Sequence, residues 1–126
     1  MGQQISLEFL PKLIGISYEE KDCWDIVKDF YLHAFKTDLS KFDIIPQDRE
    51  YNAEQINKKA VFFKKIEQPR LGDIILFRVL GHNSHVGVYL NEQRFFHTLK
   101  ETGCVIDLLH NWKKRIQGIY RWPNLD

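Results

Sequence analysis

The hydrophobic pattern of this chain changes period once, at Gln68-Pro69-Arg70-Leu71-Gly72, and that change limits the folds open to it. Before it, apolar residues recur at helical spacing. After it come short runs of β-formers separated by turn residues. Upstream, Ile26, Val27, Phe30, Tyr31 and Ala34 make a stripe that predicts a helix over roughly Asp22 to Lys36, with Asp22 or Lys21 near its cap. Ala53, Ile56, Ala60 and Phe63 predict a second helix over about 53 to 65. Asn52-Ala53-Glu54-Gln55 reads as its capping box, and Lys58-Lys59 and Lys64-Lys65 as solvated faces. Ile5 to Ile16 is a short helix or extended lead-in, interrupted by Pro11 and ended by Gly15, and Thr37 to Tyr51 is a loop.

Downstream, Asp73 to Val79 is apolar on both faces, as a central strand must be. Gly81-His82-Asn83-Ser84 is turn chemistry, and His85 to Leu90 alternates with Val86, Val88 and Leu90 on one side. Asn91-Glu92-Gln93 turns the chain into Arg94–Leu99, and Glu101-Thr102-Gly103 turns it into Cys104–Leu109. A polar stretch around Asn111 to Lys114 leads to a last strand, Ile116 to Trp122, closed by Pro123. Helices first and then a meander of about five antiparallel strands define an α+β fold, a single domain over 1–126 with a helix packed on one sheet face.

Composition excludes several classes. Lys and Arg number 18 against 17 Asp and Glu, which gives no support for nucleic-acid binding. No apolar run is long enough for membrane insertion, and the N-terminus shows no basic segment followed by an apolar one, so no signal peptide is read. Met1 to Ser6 fits an N-myristoylation pattern too short to carry weight. Two cysteines make no disulfide framework, although they could pair once. Cys104 reads as a small buried apolar residue in a strand. No cofactor motif and no metal-ligand spacing is present.

Cys23 is the residue that carries chemistry. It stands where a loop becomes a helix, on the same face as Val27 and Phe30, where the helix dipole and unspent backbone N–H groups favour thiolate. A cysteine nucleophile needs a base, and the base needs a third group to orient it. If the hairpin loop is the three residues Asn91 to Gln93, His97 faces Gly87 and His85 faces Leu99. Both histidines then share one sheet face as diagonal neighbours, about 7–8 Å apart. A two- or four-residue loop would put them on opposite faces. The roles that follow are Cys23 as nucleophile, His85 as base, His97 as orienter of His85, and the Cys23 N–H with the Tyr18 hydroxyl for an oxyanion. Against this stands the bland reading that a lone half-buried cysteine is inert packing and a strand histidine a structural residue. His33, His82 and His110 read as surface or turn residues, and Trp24 as core or groove wall.

Tyr18, Asp22-Cys23-Trp24 with Val27, Leu71-Gly72-Asp73-Ile74-Ile75-Leu76-Phe77, Ser84-His85-Val86-Gly87-Val88-Tyr89, Phe96-His97 and Ile119-Tyr120-Arg121 together resemble the NlpC-type cell-wall cysteine peptidases. The likeness covers roughly residues 13 to 122. It implies a papain-like fold and hydrolysis of amide bonds in peptidoglycan stem peptides, next to γ-D-glutamyl or meso-diaminopimelyl residues, with no cofactor. Cys23, His85 and His97 fall on the catalytic positions, Tyr18 on the oxyanion side, and Asp22 and Ser84 on the substrate groove. The Asp-Cys-Trp variant with its Ile14-Gly15-Ile16-Ser17-Tyr18 lead-in is most similar to phage and prophage tail members, which implies other tail proteins as partners; the lack of a readable signal peptide fits delivery by a virion, a secretion machine or lysis without choosing among them. Two departures stand out. Only Glu19-Glu20-Lys21 separates Tyr18 from Asp22, where relatives carry a glycine-rich loop, and Asp25 replaces a usual glycine. Other readings are a toxin or lysin amidase using the same three residues, or a catalytically silent tail or binding module, which the intact Cys23, His85 and His97 set disfavours.

Overall fold

The computed structural model describes residues 6–42 and 49–125. The Met1–Ser6 pattern, apart from Ser6, lies outside them. The helices are α1 (Leu10–Leu13), α2 (Cys23–Phe35) and α3 (Arg49–Ala60). The strands are β1 (Lys64–Ile66), β2 (Ile74–Val79), β3 (His82–Asn91), β4 (Arg94–Leu99), β5 (Gly103–Leu108) and β6 (Ile116–Arg121). All pair antiparallel in one sheet of order β1-β6-β2-β3-β4-β5, so the α+β class holds.

The structure departs from expectation in four places. Lys64–Ile66 is an edge strand on β6 rather than the tail of a helix. The last strand does not extend the meander. It crosses back and inserts between β1 and β2, which makes a sheet of six strands. The second helix begins at Arg49, upstream of Asn52, so Asn52 cannot be its cap; the side chain of Asn52 lies outside the described residues. His82 to Ser84 belong to β3, and the turn before it is only Leu80-Gly81, both at positive φ.

The sheet has two cores. On one face α2 lays Trp24, Ile26, Val27, Phe30 and Tyr31 against Ile74, Leu76, Val86, Val88 and Phe96. On the other, Ile75, Phe77, Tyr89 and Phe95 are covered by Leu109 and Trp112 from the 3-10 segment Leu109–Arg115, which carries the chain back toward β2. The two-faced apolar pattern of β2 thus has its cause: it is central and buried on both sides.

A buried ion pair ties this return into place. Arg121 at the end of β6 donates from Nε to Asp73 Oδ1 at 2.8 Å and from Nη2 to Asp73 Oδ2 at 2.7 Å. Asp73 Oδ2 also accepts the Arg70 N–H at 2.8 Å, and the neighbouring Gly72 carbonyl accepts the Tyr31 hydroxyl of α2 at 2.5 Å. One corner thereby joins α2, β2 and β6. Asp73→Ala strands a buried guanidinium and is expected to cost about 3–5 kcal/mol, whereas an apolar pair at both positions recovers most of that loss. Urea denaturation of the two variants checks this. A loss below about 1 kcal/mol in the single variant would show that the pair does not hold the corner.

Candidate active site

The approach to α2 is a tight turn. The N–H groups of Glu20 and Lys21 both donate to the Ser17 carbonyl at 3.1 Å, which closes the short Tyr18–Lys21 segment without glycines. The lead-in is pinned to β5, with Gly15 N–H on the Cys104 carbonyl and Cys104 N–H on the Ile16 carbonyl, each at 2.9 Å. Gly103 permits that approach. Its φ is +72°, and a β-carbon there would collide with the Ile16 carbonyl.

Asp22 then caps α2. Its Oδ1 accepts the N–H groups of Trp24 and Asp25 at 3.0 and 2.9 Å, and Asp25 Oδ2 accepts the Asp22 N–H at 3.1 Å. Asp25 is therefore the reciprocal half of a capping box. The Ile26 N–H bonds the Asp22 carbonyl at 3.2 Å. The cap thus leaves the Cys23 N–H as the first-turn donor it does not use.

Cys23 is half-buried and its thiol is free, as is that of the fully buried Cys104. The helix start favours thiolate, but burial acts the other way and pushes the Cys23 thiol up to about 12. The backbone N–H groups of Val86, Trp24 and Cys23 itself oppose the rise, and the Asp22 carboxylate adds to it. Desolvation outweighs the helix terminus because the same packing that aligns the sulfur with the N–H groups removes its water. Of these groups Val86 belongs to β3, the strand on which α2 packs.

The histidines meet on the opposite sheet face. His85 Nε2 lies 2.9 Å from His97 Nδ1. The hairpin that brings them together has a two-residue turn, Glu92-Gln93, with φ of 54° and 64°, rather than the expected three-residue loop. A two-residue loop alone would have separated the faces. A bulge between Tyr89 and Asn91 adds the missing residue, so Val88 still opposes Phe96 and the diagonal relation survives. Gly87 leaves room, since a β-carbon there would stand 3.0 Å from Phe95 Cδ2 and the Phe96 carbonyl oxygen and 3.2 Å from His97 Cβ.

Two residues that sequence reasoning missed complete the cluster. Asp107 Oδ2 lies 2.6 Å from His97 Nε2. Trp112 stacks on His85 with ring centroids 5.7 Å apart and meets His97 edge-on at 5.0 Å. The signal for Asp107 was available: β5 pairs His97 with Val105 and Phe95 with Asp107, so Asp107 is diagonal to His97 as His97 is to His85. Trp112 had no such signal, because it arrives on a 3-10 segment. Burial holds the His97 pKa below its ordinary value, while the hydrogen bond and charge of Asp107 pull it upward.

Tyr18, Ser84 and His85 line a groove of about 320 Å³ with Lys100, Glu101, Trp112 and Arg115. Tyr18 and Lys100 also border an adjoining groove, of about 630 Å³, with Ser17, Glu19, Asp22 and Asp25. Lys100 Nζ sits 5.8 Å above the Tyr18 ring between the two. Asp22 thus reaches a groove, although its Oδ1 is committed to the helix cap. Among the described residues, no three His, Cys, Asp or Glu side chains are placed to hold a metal ion.

A thiol at a helix start, set against a strand whose histidine bonds a second histidine, defines an α+β domain of the papain-like class. Residues 12–121 match the model of the NlpC/P60 family, and the chain belongs to that family. It is 38% identical over 106 residues to a protein named murein DD-endopeptidase MepS/murein LD-carboxypeptidase from Escherichia coli K12, covering 82% of this chain and 50% of that one. The chain therefore spans about half the length of the curated relatives it matches. Among solved structures it resembles NlpC1 from Trichomonas vaginalis, with a TM-score of 0.61 and 20% identity over 90% of this chain and 41% of that one. It also resembles an NLP/P60-family lipoprotein-like protein from Staphylococcus aureus, with a TM-score of 0.56 and 22% identity over 87% and 37%.

A neutral resting thiol has a direct consequence. The rate of Cys23 alkylation by iodoacetamide, followed by mass spectrometry across pH 6 to about 10, is expected to climb throughout, because the thiolate fraction rises with pH until the pKa is passed. A plateau reached below about pH 7 would instead show a preformed thiolate.

Proposed function

We propose that this chain is a cysteine peptidase that hydrolyses amide bonds in peptidoglycan stem peptides, with Cys23 as nucleophile, His85 as base and His97 as the residue that orients it. The observation that carries this is the 2.9 Å contact between His85 Nε2 and His97 Nδ1 on β3 and β4, with Cys23 at the first turn of the helix that packs on β3. With Nε2 engaged by His97, the base role is assigned to His85 Nδ1. His85 takes the thiol proton there as sulfur attacks the carbonyl carbon, which offsets the high cost of an unassisted thiolate. The oxyanion meets the Cys23 N–H left over by the cap, and the Tyr18 hydroxyl on the groove wall supplies a second donor. His85 returns its proton to the departing amine, and water then cleaves the thioester through the same base.

The name of the Escherichia coli relative supports the substrate class, and so do the grooves. Lys100 and Arg115 suit carboxylates of a stem peptide, and Glu19, Asp22 and Asp25 suit an amine. Ser84 lines the groove beside His85 and fits a substrate-positioning role. A phage-tail setting rests on the Asp22-Cys23-Trp24 variant and its lead-in alone. Other tail proteins as partners belong to the same reading.

The test is release of new amine termini from purified peptidoglycan or muropeptides. Wild type is expected to release them, and Cys23→Ala and His85→Ala to lose about 10³-fold or more of that activity. If wild type binds muropeptides but releases no amine, the domain is a silent binding module and the peptidase reading falls.

A further inference from the structure

An imidazole differs from a carboxylate or an amide as the third member of a triad. A carboxylate can only accept. A neutral histidine offers a donor on one nitrogen and an acceptor on the other, and nothing within the ring decides which. For His85 to act as a base through Nδ1, its Nε2 must carry the proton. His97 Nδ1, 2.9 Å away, must then accept, and the His97 proton must sit on Nε2.

We propose that Asp107 is a fourth member of the site, a positioning residue that holds the His97 proton on Nε2 and thereby sets His85 as the Nε2–H tautomer that the proposed base role through Nδ1 requires. This rests on the peptidase reading above. The geometry is direct. Asp107 Oδ2 lies 2.6 Å from His97 Nε2, a short distance that fits a charge-assisted hydrogen bond. An ionised carboxylate has no proton to give, so the His97 ring must donate to it. His97 is fully buried, clamped by Phe95 at 4.3 Å and Trp112 at 5.0 Å between centroids, so it cannot swing to another partner. The Asp107 side chain is 35% exposed. The buried histidine pair is thus oriented from the solvent side of the sheet. No proton passes to Asp107. While His85 holds the thiol proton, the Asp107 charge favours the imidazolium through His97. Without it, His97 can place its proton on Nδ1 and donate to His85 Nε2. That moves the His85 proton onto Nδ1, the nitrogen through which the proposed base acts, and blocks it.

The test compares wild type, Asp107→Ala and Asp107→Asn by long-range 15N–1H NMR of the histidine rings and by muropeptide cleavage. Wild type is expected to show the Nε2–H tautomer at both His85 and His97. Asp107→Ala is expected to lose that signature, with an Nδ1–H form of His85 appearing, and to lower kcat about 10–100-fold with KM little changed. Asn retains an acceptor oxygen and is expected to fall between the two. Asp107 is a third exposed, so Ala should leave the fold intact, and unchanged amide spectra elsewhere verify that. Retention of the Nε2–H tautomers in Asp107→Ala, or a kcat within twofold of wild type, would overturn the proposal. The ring spectra do not depend on turnover. A wild type that cleaves nothing therefore refutes the peptidase reading, while the spectra separately decide whether Asp107 sets the tautomers.

Discussion

Everything that gathers at the site depends on the register of β3 against β4. Side chains alternate along a strand with a period of two, so a slip of one residue would send His97 to the face of Val88 and Phe96 and leave His85 among Phe77 and Trp112 without a partner. The register is held by two features of opposite effect. The Glu92-Gln93 turn takes one residue fewer than the hairpin needs, and the bulge between Tyr89 and Asn91 adds it back. The Tyr89 hydroxyl accepts the Gln93 N–H at 3.0 Å, which locks the turn to the strand it leaves. The next hairpin holds the same face in line, with Leu99 opposite Gly103 and His97 opposite Val105. Three polar residues thereby form a diagonal row across three strands: His85, His97, Asp107.

Cys23, the proposed nucleophile, is supplied from the other side of the sheet and by a different logic. Its position comes from the cap, where Asp22 and Asp25 satisfy each other's orphan groups and so fix where the first turn begins. Two influences act on the sulfur in opposite directions. The helix start offers partial positive charge, a stabilisation on the order of 1 kcal/mol. Burial between Trp24, the α2 core and the β3 backbone removes water, and for a thiolate that loss is the larger effect. Burial thus raises the cost of a standing thiolate, and in the proposed mechanism a base offsets it. A base of fixed tautomer matters more in such a site than in one where the thiolate already exists.

How much of this was legible in the sequence follows from the range of each interaction. The α2 stripe, a cap at Asp22 and the alternation of His85 to Leu90 are local patterns, and they appear where expected, although β3 begins three residues earlier. The face shared by His85 and His97 was reached with the wrong turn: two errors of one residue, a missed bulge and a miscounted loop, cancelled. Lys64–Ile66 was lost to the helix because three lysine-rich residues have no period of their own and become a strand only by pairing with β6. The insertion of β6 beside β2 is a tertiary event, decided by where Leu109 and Trp112 can be buried and by Arg121 finding Asp73, 48 positions earlier. The effect of burial on Cys23 was not legible either, because desolvation depends on neighbours that only the fold assembles.

The choice of histidine at position 97 carries a requirement that the rest of the fold meets. A buried imidazole beside the base offers a polarisable partner without placing a full negative charge next to a thiol that must ionise, since Asp107 stands one ring further away. The cost is ambiguity, because a neutral ring can face His85 either way round. Packing cannot remove that ambiguity: Phe95 and Trp112 hold the ring plane but are blind to which nitrogen bears the proton. Only a group that accepts and never donates can settle it, and β5 delivers one at the next diagonal position. The strand register that aligns the two histidines is therefore the same register that supplies the acceptor they need.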